Sequence, residues 1–281
     1  MESQVDSDAL NTFLTVHRRG GVSNAARALH RSQPAISRRI ALLEQELGVP
    51  LFERAAGRTR LSDAGRVMVP YAERAVAAAQ DAENAVRALT RQNAGPVSLA
   101  VVGTLAGGRL SEILKRFACE YQDADLTLRT ATSAEVSDLI RRGEATVGLR
   151  YDVDRLHDLD HERLATEQLQ VVCAPDHPLA EIAWTRVDSL TAQKRLIEAG
   201  LGIALLSQSH AADELRSGSI AAIRVGNLAA SQDIVAVTRR GGFLSAASQR
   251  LLEIVRADYA GTNTAGREAG RPKRARARRR K

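Results

Sequence analysis

Polar and basic side chains gather at the joint between two short helical patterns in the stretch GGVSNAARALHRSQPAISRRIALLEQELG, which begins at Gly20. Ser32 and Gln33 stand at the joint, and Arg38 and Arg39 follow within the second pattern, off its apolar face. Hydroxyl, amide and guanidinium groups near the start of a helix can bond to base edges or phosphate oxygens, and an α-helix fits the major groove of DNA. These residue types predict nucleic-acid recognition.

Short helices must position these side chains. Ser23 is expected to cap the helix before the joint, and Ser32 or Gln33 the helix after it. Pro34 falls in the first turn of the later helix, where its missing N–H costs nothing. Two helices joined by a tight turn are typical of the helix-turn-helix, in which residues 34–47 would enter the major groove.

A hairpin is predicted next, because LFERAAGRTRLS reads as two short strands around a turn at residues 55–57. Such a hairpin can serve as a wing whose arginines reach the DNA backbone beside the reading helix. We therefore place a DNA-binding domain in residues 1–61. The candidate DNA-contacting residues are Ser23, Ser32, Gln33, Pro34, Ala35, Ser37, Arg38, Arg39, Arg54, Arg58 and Arg60.

Residues 62–93 predict one long helix with an alanine-rich seam at alternating spacings of three and four. Two such helices can approach closely, and thirty residues make more helix than a small domain can cover. We expect this helix to pair two subunits; the alternative is a helix packed only on its own domain. The candidate dimer-interface residues are Met68, Tyr71, Ala75, Ala78, Ala82, Ala85 and Leu89.

Residues 94–262 alternate between apolar strand patterns and helical patterns, which predicts an α/β domain with a parallel sheet. The strands are expected at VSLAVV, LTLRTAT, TVGLRY, QLQVVCAP, GIALLS and IVAVTR, and a helix is expected over residues 245–259. Ser207, Ser209 and His210 have no nucleophile elbow around them, so no catalytic site is predicted. No metal site or cofactor is predicted either.

The net charge of +7 is unevenly distributed. Residues 1–93 hold 13 basic and 10 acidic side chains, residues 94–266 hold 18 and 22, and residues 267–281 hold nine and one. We expect residues 263–281 to be disordered, serving either as a solubilising end or as a salt-dependent phosphate clamp. With two cysteines, no signal peptide and no run of 18 apolar residues, a cytoplasmic protein that does not enter the membrane is expected.

The first 65 residues resemble the winged helix-turn-helix of LysR-type transcriptional regulators. The matching residues are Leu10, Phe13, Ala25, Ala26, Leu29, Ser32–Ala35, Ser37, Ile40, Leu43, Glu44, Leu47, Gly48, Leu51–Arg54, Ala64 and Gly65. Later segments (GPVSLAVV, RRGEATVGLRYD, VVCAPDHPLA and EAGLGIALLS) are also similar to recurring segments of that family.

This resemblance implies an α/β protein with an N-terminal winged helix-turn-helix, a long linker helix and a C-terminal two-lobed α/β effector-binding domain. It implies double-stranded DNA as partner, a homodimer or homotetramer, RNA polymerase contact if the protein activates, and a small, anionic effector bound between the lobes. It does not imply an enzyme. The candidate effector-binding residues are Thr104, Gly107, Thr132, Ser133, Arg150 and Gly202.

The second lobe departs from the family pattern, since only seven residues separate Leu179 from Val187. A strand–helix–strand unit is expected to be missing from lobe two near residues 180–187. Either the cleft is incomplete and the regulator acts constitutively, or a partner subunit covers the exposed strand edge. A ligand-binding protein with a vestigial head, and a protein that sequesters its relatives in mixed dimers, remain alternatives.

Overall fold

A computed structural model of the chain describes residues 5–55, 58–90, 95–154, 158–176, 189–223, 225 and 230–269. No helix within these ranges is long and apolar enough to cross a bilayer. The helices are α1 (Ser7–Arg19), α2 (Val22–Ala28), α3 (Gln33–Leu47), α4 (Asp63–Thr90), α5 (Gly108–Glu120), α6 (Ser133–Arg141), α7 (Leu190–Glu198), α8 (Ala212–Ser217) and α9 (Ala246–Ala269). The strands are β1 (Phe52–Ala55), β2 (Arg58–Leu61), β3 (Val97–Val102), β4 (Leu126–Ala131), β5 (Val147–Tyr151), β6 (Leu159–Cys173), β7 (Ala204–Ser207), β8 (Ala221–Ile223) and β9 (Ser231–Arg239).

The head, residues 5–61, begins its reading helix at a side-chain cap. The Ser32 hydroxyl accepts the Ala35 N–H at 3.4 Å at the start of α3, which resolves the choice between Ser32 and Gln33. The prediction that Ser23 caps α2 is wrong. Gly21 is the N-cap, with φ 150° and ψ 166°, a conformation open essentially to glycine, so the helix starts before Ser23 is reached.

The head packs around one apolar core and is joined tightly to α4. Phe13, Ile36 and Leu43 are fully buried at its centre. At the start of α4 the Ser62 hydroxyl accepts the Gly65 N–H at 3.0 Å. A Cβ on Gly65 would lie 2.1 Å from the Leu51 carbonyl oxygen, so only glycine lets α4 begin this close to the hairpin.

One face of helix α4 also packs against the C-terminal domain. The contacting residues are spaced four apart, and we call them the lobe-facing stripe: Glu73, Ala77 and Asp81. Glu73 pairs with Arg18 of the head at 3.0 Å and with Arg142 at 3.6 Å. Ala77 is fully buried, and a Cβ on Gly143 would lie 3.3 Å from the Ala77 Cβ.

The third residue of the stripe makes the shortest contact with the C-terminal domain. Asp81 pairs with Arg239 at 2.6 Å and accepts the Phe243 N–H at 3.0 Å. Helix α4 therefore joins the head and the C-terminal domain through direct side-chain contacts in addition to the chain connection.

The C-terminal domain is a mixed sheet with strand order β4-β3-β5-β9-β6-β7, and β8 pairs with the other side of β6. Only the pairs β3–β4 and β3–β5 are parallel, so the prediction of a parallel sheet holds for these strands alone. The later strands pair antiparallel because β9 returns between β5 and β6.

Strand β6 connects two lobes. Lobe one comprises β3, β4, β5, β9, α5, α6, α9 and the first part of β6; lobe two comprises β7, β8, α7, α8 and the last part of β6. Residues 159–168 of β6 pair with β9, and residues 169–173 pair with β7 and β8. The sequence predicted this strand only from residue 168, because its earlier half is exposed and charged rather than apolar.

Lobe two has a small core. Its cluster of buried hydrophobic residues contains five members among the described residues, against eighteen in the larger cluster of lobe one. The predicted shortening falls in residues 177–188, outside the described ranges. Helix α9 continues to Ala269, beyond the boundary predicted at residue 262, and residues 270–281 of the predicted tail also lie outside the described ranges.

Replacing Asp81 with alanine leaves the Arg239 guanidinium and the Phe243 N–H without their shared acceptor. The site is poorly accessible to water, since the Asp81 and Arg239 side chains are only 19% and 17% exposed. We expect the free energy of unfolding to fall by about 1–3 kcal/mol, the cost of unsatisfied buried donors. Urea unfolding measures this loss. Asp213→Ala is the matched control: its pair with Arg216 is exposed, so a change below about 0.5 kcal/mol is expected. Equal losses in both variants would contradict the seating of α4.

Candidate functional site

The reading helix α3 has one buried face and one open face. Ile36, Ile40 and Leu43 are buried against the head. On the open side, the candidate residues Ser32, Gln33, Pro34, Ala35, Ser37 and Arg38 are all exposed. The start of α3 therefore presents hydroxyl, amide and guanidinium groups to solvent, as a helix that enters a groove requires.

Ser23 connects the two helices of the motif. Its hydroxyl donates to Gln33 Oε1 at 3.1 Å, which orients the Gln33 amide at the exposed joint. An amide held in this way can present its N–H₂ group outward, to an acceptor on a base edge or a phosphate. The structure thus gives Ser23 an orienting contact in place of the predicted cap.

The two arginines of the reading helix differ in their surroundings. Arg39 donates to both oxygens of Asp6, at 2.9 and 2.8 Å, and pairs with Asp8 at 3.0 Å. Arg31 also donates to Asp8, and the two guanidinium groups hold the pKa of that carboxyl below its usual value. Arg38 is exposed and has no ion pair among the described residues. Arg39 therefore fastens α3 to α1, whereas Arg38 is available to a polyanion.

The predicted wing is an antiparallel hairpin, and the Glu44 carboxylate of α3 accepts the Leu51 and Phe52 N–H groups at its start, at 2.7 and 3.1 Å. Arg60 is exposed on β2, opposite Glu53 on β1. Arg54 and Arg58 lie on the same strands, but their side chains are outside the described part of the structure. Their contact with DNA stays a prediction.

Helix α4 leaves most of the predicted seam open. Ala75, Ala78 and Ala82 are exposed, and Tyr71 and Leu89 are 59% and 86% exposed. The two remaining seam positions, Met68 and Ala85, are half-buried, and Met68 packs against the head core.

A different line of α4 residues, Val69, Ala72 and Val76, packs against the head. The helix thus covers its own domain with one face and leaves an alanine-rich face without a partner in the single chain. The alternative of packing on its own domain holds for one face of α4. Pairing of two subunits through the open face stays a prediction.

A cavity of about 1140 Å³ lies where the two lobes meet. Lobe one contributes the loop before α5, with Thr104 and Gly107, and lobe two contributes the loop after β7. The lining residues are Thr104, Leu105, Gly107, Gly108, Arg109, residues 163–168, residues 207–210, Ile234 and Tyr259.

The other four candidate effector residues do not line this cavity in the described structure. Thr132 caps α6 in a capping box with Glu135, and the Ser133 hydroxyl accepts the Tyr151 N–H at 3.3 Å. Arg150 is buried, donating to the Ser137 hydroxyl and pairing with Asp154 at 3.3 Å.

Gly202, the last of these four, precedes β7 outside the lining. Thr132, Ser133 and Arg150 make structural contacts that could not be inferred from their positions at strand ends. Their role in effector binding rests only on the sequence resemblance.

His210 links the lobes across the cavity, a role that its sequence position did not indicate. It hydrogen bonds to the Thr104 backbone, and its Nε2 lies 3.5 Å from the Tyr151 hydroxyl. The Thr104 hydroxyl donates to the same Tyr151 oxygen at 3.0 Å. Burial lowers the pKa of His210 and raises the pKa of Tyr151, so both groups are neutral near pH 7.

The comparisons with known proteins agree with this architecture. The family model for "Bacterial regulatory helix-turn-helix protein, lysR family" matches residues 7–66. The model for "LysR substrate binding domain" matches residues 90–184 and 183–260, in two stretches that meet where the shortening is predicted.

Curated relatives include the transcriptional regulator CysB of Haemophilus influenzae, 29% identical over 62% of this chain and 55% of CysB. The chain thus spans little more than half of that relative. The regulator CbbR of Rhodospirillum rubrum is 26% identical over 88% of this chain and 95% of CbbR.

Two solved structures share the fold. Full-length OxyR from Pseudomonas aeruginosa has a TM-score of 0.62 at 20% identity, covering 92% of this chain and 95% of OxyR. The LysR family regulator CbnR has a TM-score of 0.61 at 24% identity, covering 91% of this chain and 99% of CbnR.

The contrast between Arg38 and Arg39 predicts different effects of alanine substitution. Arg38→Ala should weaken binding to labelled duplex DNA roughly tenfold and lower the salt slope of binding by about 1, with an unchanged melting temperature. Arg39→Ala should instead lower the melting temperature, because α3 loses its ion pairs with Asp6 and Asp8. Fluorescence anisotropy across a salt series and thermal melting measure the two effects. A salt slope unaffected by Arg38→Ala would show that this side chain does not meet phosphate.

Proposed function

Because this chain belongs to the LysR family of bacterial regulatory helix-turn-helix proteins, we propose that it regulates transcription by binding specific DNA sequences as a dimer, under the control of a small molecule held between its lobes. The observation that carries the proposal is the open face of α3. A capped helix start with exposed Ser32, Gln33 and Arg38 stands clear of the head core.

DNA binding would place α3 in the major groove and the hairpin against the neighbouring backbone. Ser32, Gln33 and Ser37 would donate to base edges or phosphate, and Arg38 would meet phosphate or guanine. Arg39 would act indirectly, by holding α3 on α1 through its bonds to Asp6. Such a protein works on chromosomal DNA in the cytoplasm and, if it activates, contacts RNA polymerase.

Dimerisation would occur through the open seam of α4. Small side chains at Ala75, Ala78 and Ala82 allow a second helix to approach closely, and Tyr71 and Leu89 would be covered by it. Two heads held by paired helices would read two half-sites separated by a multiple of about 10 base pairs. Further pairing of dimers into a homotetramer is compatible with the same surfaces.

Genome-wide mapping of DNA fragments bound by the full chain tests this function. We expect a short set of enriched sites with two related half-sites, and their loss in the Arg38→Ala variant. Fragments bound without any shared sequence would contradict sequence-specific regulation. Co-purification of a relative from the same family, with no DNA bound, would favour the alternative that the chain sequesters other regulators.

The seam predicts a specific effect of a charge at its centre. Ala82→Glu places a carboxylate where two helices approach closely, so we expect a shift from dimer to monomer in sedimentation velocity and at least a tenfold loss of affinity for a two-half-site duplex. Ala246→Glu is the matched control, since Ala246 is also exposed but lies at the start of α9. If the dimer persists in the Ala82→Glu variant and is lost in the Ala246→Glu variant, the dimer interface lies outside the seam of α4.

A further inference from the structure

Three charged side chains line the cavity between the lobes, and two of them are compensated. Arg109 pairs with Asp258 at 3.4 Å and lies over the Tyr259 ring. Arg163 lies 3.7 Å from Asp233 at the mouth of the cavity. Each arginine of the lining therefore has a carboxylate partner, although Arg109 shares Asp258 with Arg116.

The third charge, Glu167, has no matching cation among the described residues. Its Oε1 accepts the Ser209 hydroxyl at 2.7 Å, and Ser209 in turn lies 2.9 Å from the Ser207 hydroxyl. Its Oε2 is buried and has no hydrogen-bond partner in the same part of the chain. A buried carboxylate without a cation is unfavourable, so a cationic ligand that reaches Glu167 from the cavity would be bound strongly.

Neighbouring basic groups do not supply that donor. His210 faces the cavity beside Glu167, but burial lowers its pKa and keeps it neutral near pH 7. Lys194 is held by both carboxylate oxygens of Glu214 at 3.0 Å. Within the described part of the chain, the cavity thus carries one carboxylate without a cation, at the place where β6 passes from lobe one to lobe two.

We propose that the effector carries a protonated amine or a guanidinium group that pairs with the Glu167 carboxylate. The proposal rests on the proposed function, in which the inter-lobe cavity holds the controlling small molecule. A cation fits better than a neutral donor because it both satisfies the free oxygen and neutralises the charge.

Binding at this position also provides a link between the lobes. Glu167 lies on β6 beside lobe one, while Ser209 and His210 belong to the loop of lobe two. A cation on Glu167 would therefore be enclosed by the same loop that reaches Thr104 and Tyr151 of lobe one.

This assignment differs from the anionic effector that the sequence predicted. That prediction rested on the family resemblance, in which the candidate effector residues include Thr104, Gly107 and Arg150. Arg150 lies outside the lining, and Arg109 is matched by Asp258, so neither offers an unpaired positive charge to the cavity.

Isothermal titration of the full chain with agmatine, putrescine and L-arginine, against succinate and citrate, tests the proposal. We expect saturable binding of at least one basic probe, weakened about 10- to 100-fold by Glu167→Gln. Glu162→Gln is the matched control on the same strand, because Glu162 pairs with Arg256 on the outside of the domain and should leave binding unchanged. Without ligand, Glu167→Gln should melt no lower than the wild-type chain, since it removes an uncompensated charge.

The possible failures are distinguishable. Three results would each overturn the assignment of a cationic effector. They are binding of succinate or citrate alone, binding of none of the probes, and equal binding of the basic probes by the Glu167→Gln variant. A gel shift with the mapped DNA sites, run on the same protein without ligand, reports on the regulator function separately. DNA binding that persists in any of these cases leaves the proposed function standing while the effector assignment falls.

Discussion

The seating of α4 on lobe one is the contact on which the rest of the molecule depends. The lobe-facing stripe of this helix (Glu73, Ala77 and Asp81) contacts lobe one through ion pairs and through the close approach of Ala77 to Gly143. The close approach needs a residue without a side chain, and Gly143 also has φ +70°, which favours glycine. Because Arg18 of the head bonds to Glu73 as well, the head, the helix and lobe one meet at a single carboxylate.

Helix α4 therefore has three faces with different contacts. One face covers the head core, the lobe-facing stripe holds lobe one, and the alanine-rich seam remains open. Movement of lobe one relative to α4 would have to break the contacts of Glu73 and Asp81, so the orientation of the reading helix is coupled to the C-terminal domain by short, directional bonds. The cavity lies on the other side of lobe one, where β6 leads into lobe two.

Local patterns predicted those parts of the fold whose determinants are neighbours in the chain. The cap at Ser32 and the strands β3, β4 and β5 follow from residue types within a few positions of each other. The predictions were wrong or incomplete where a residue distant in the sequence determines the local structure. Ser23 bonds to Gln33 instead of capping α2, and the exposed first half of β6 is a strand only because β9 lies beside it.

The sequence by itself determined the head and the long helix, because capping residues, helical periodicity and the motif around Ser32 are properties of contiguous segments. The two-lobed plan followed from the resemblance of later segments to the LysR family. Only the tertiary structure decided which charged groups remain available. Arg38 and Arg39 are adjacent and identical, yet folding places one beside Asp6 and leaves the other exposed. Folding likewise compensates Arg109 and leaves Glu167 Oε2 without a donor. The free energy of a charge depends on what lies within a few ångströms of it, and that neighbourhood is assembled from residues far apart in the chain.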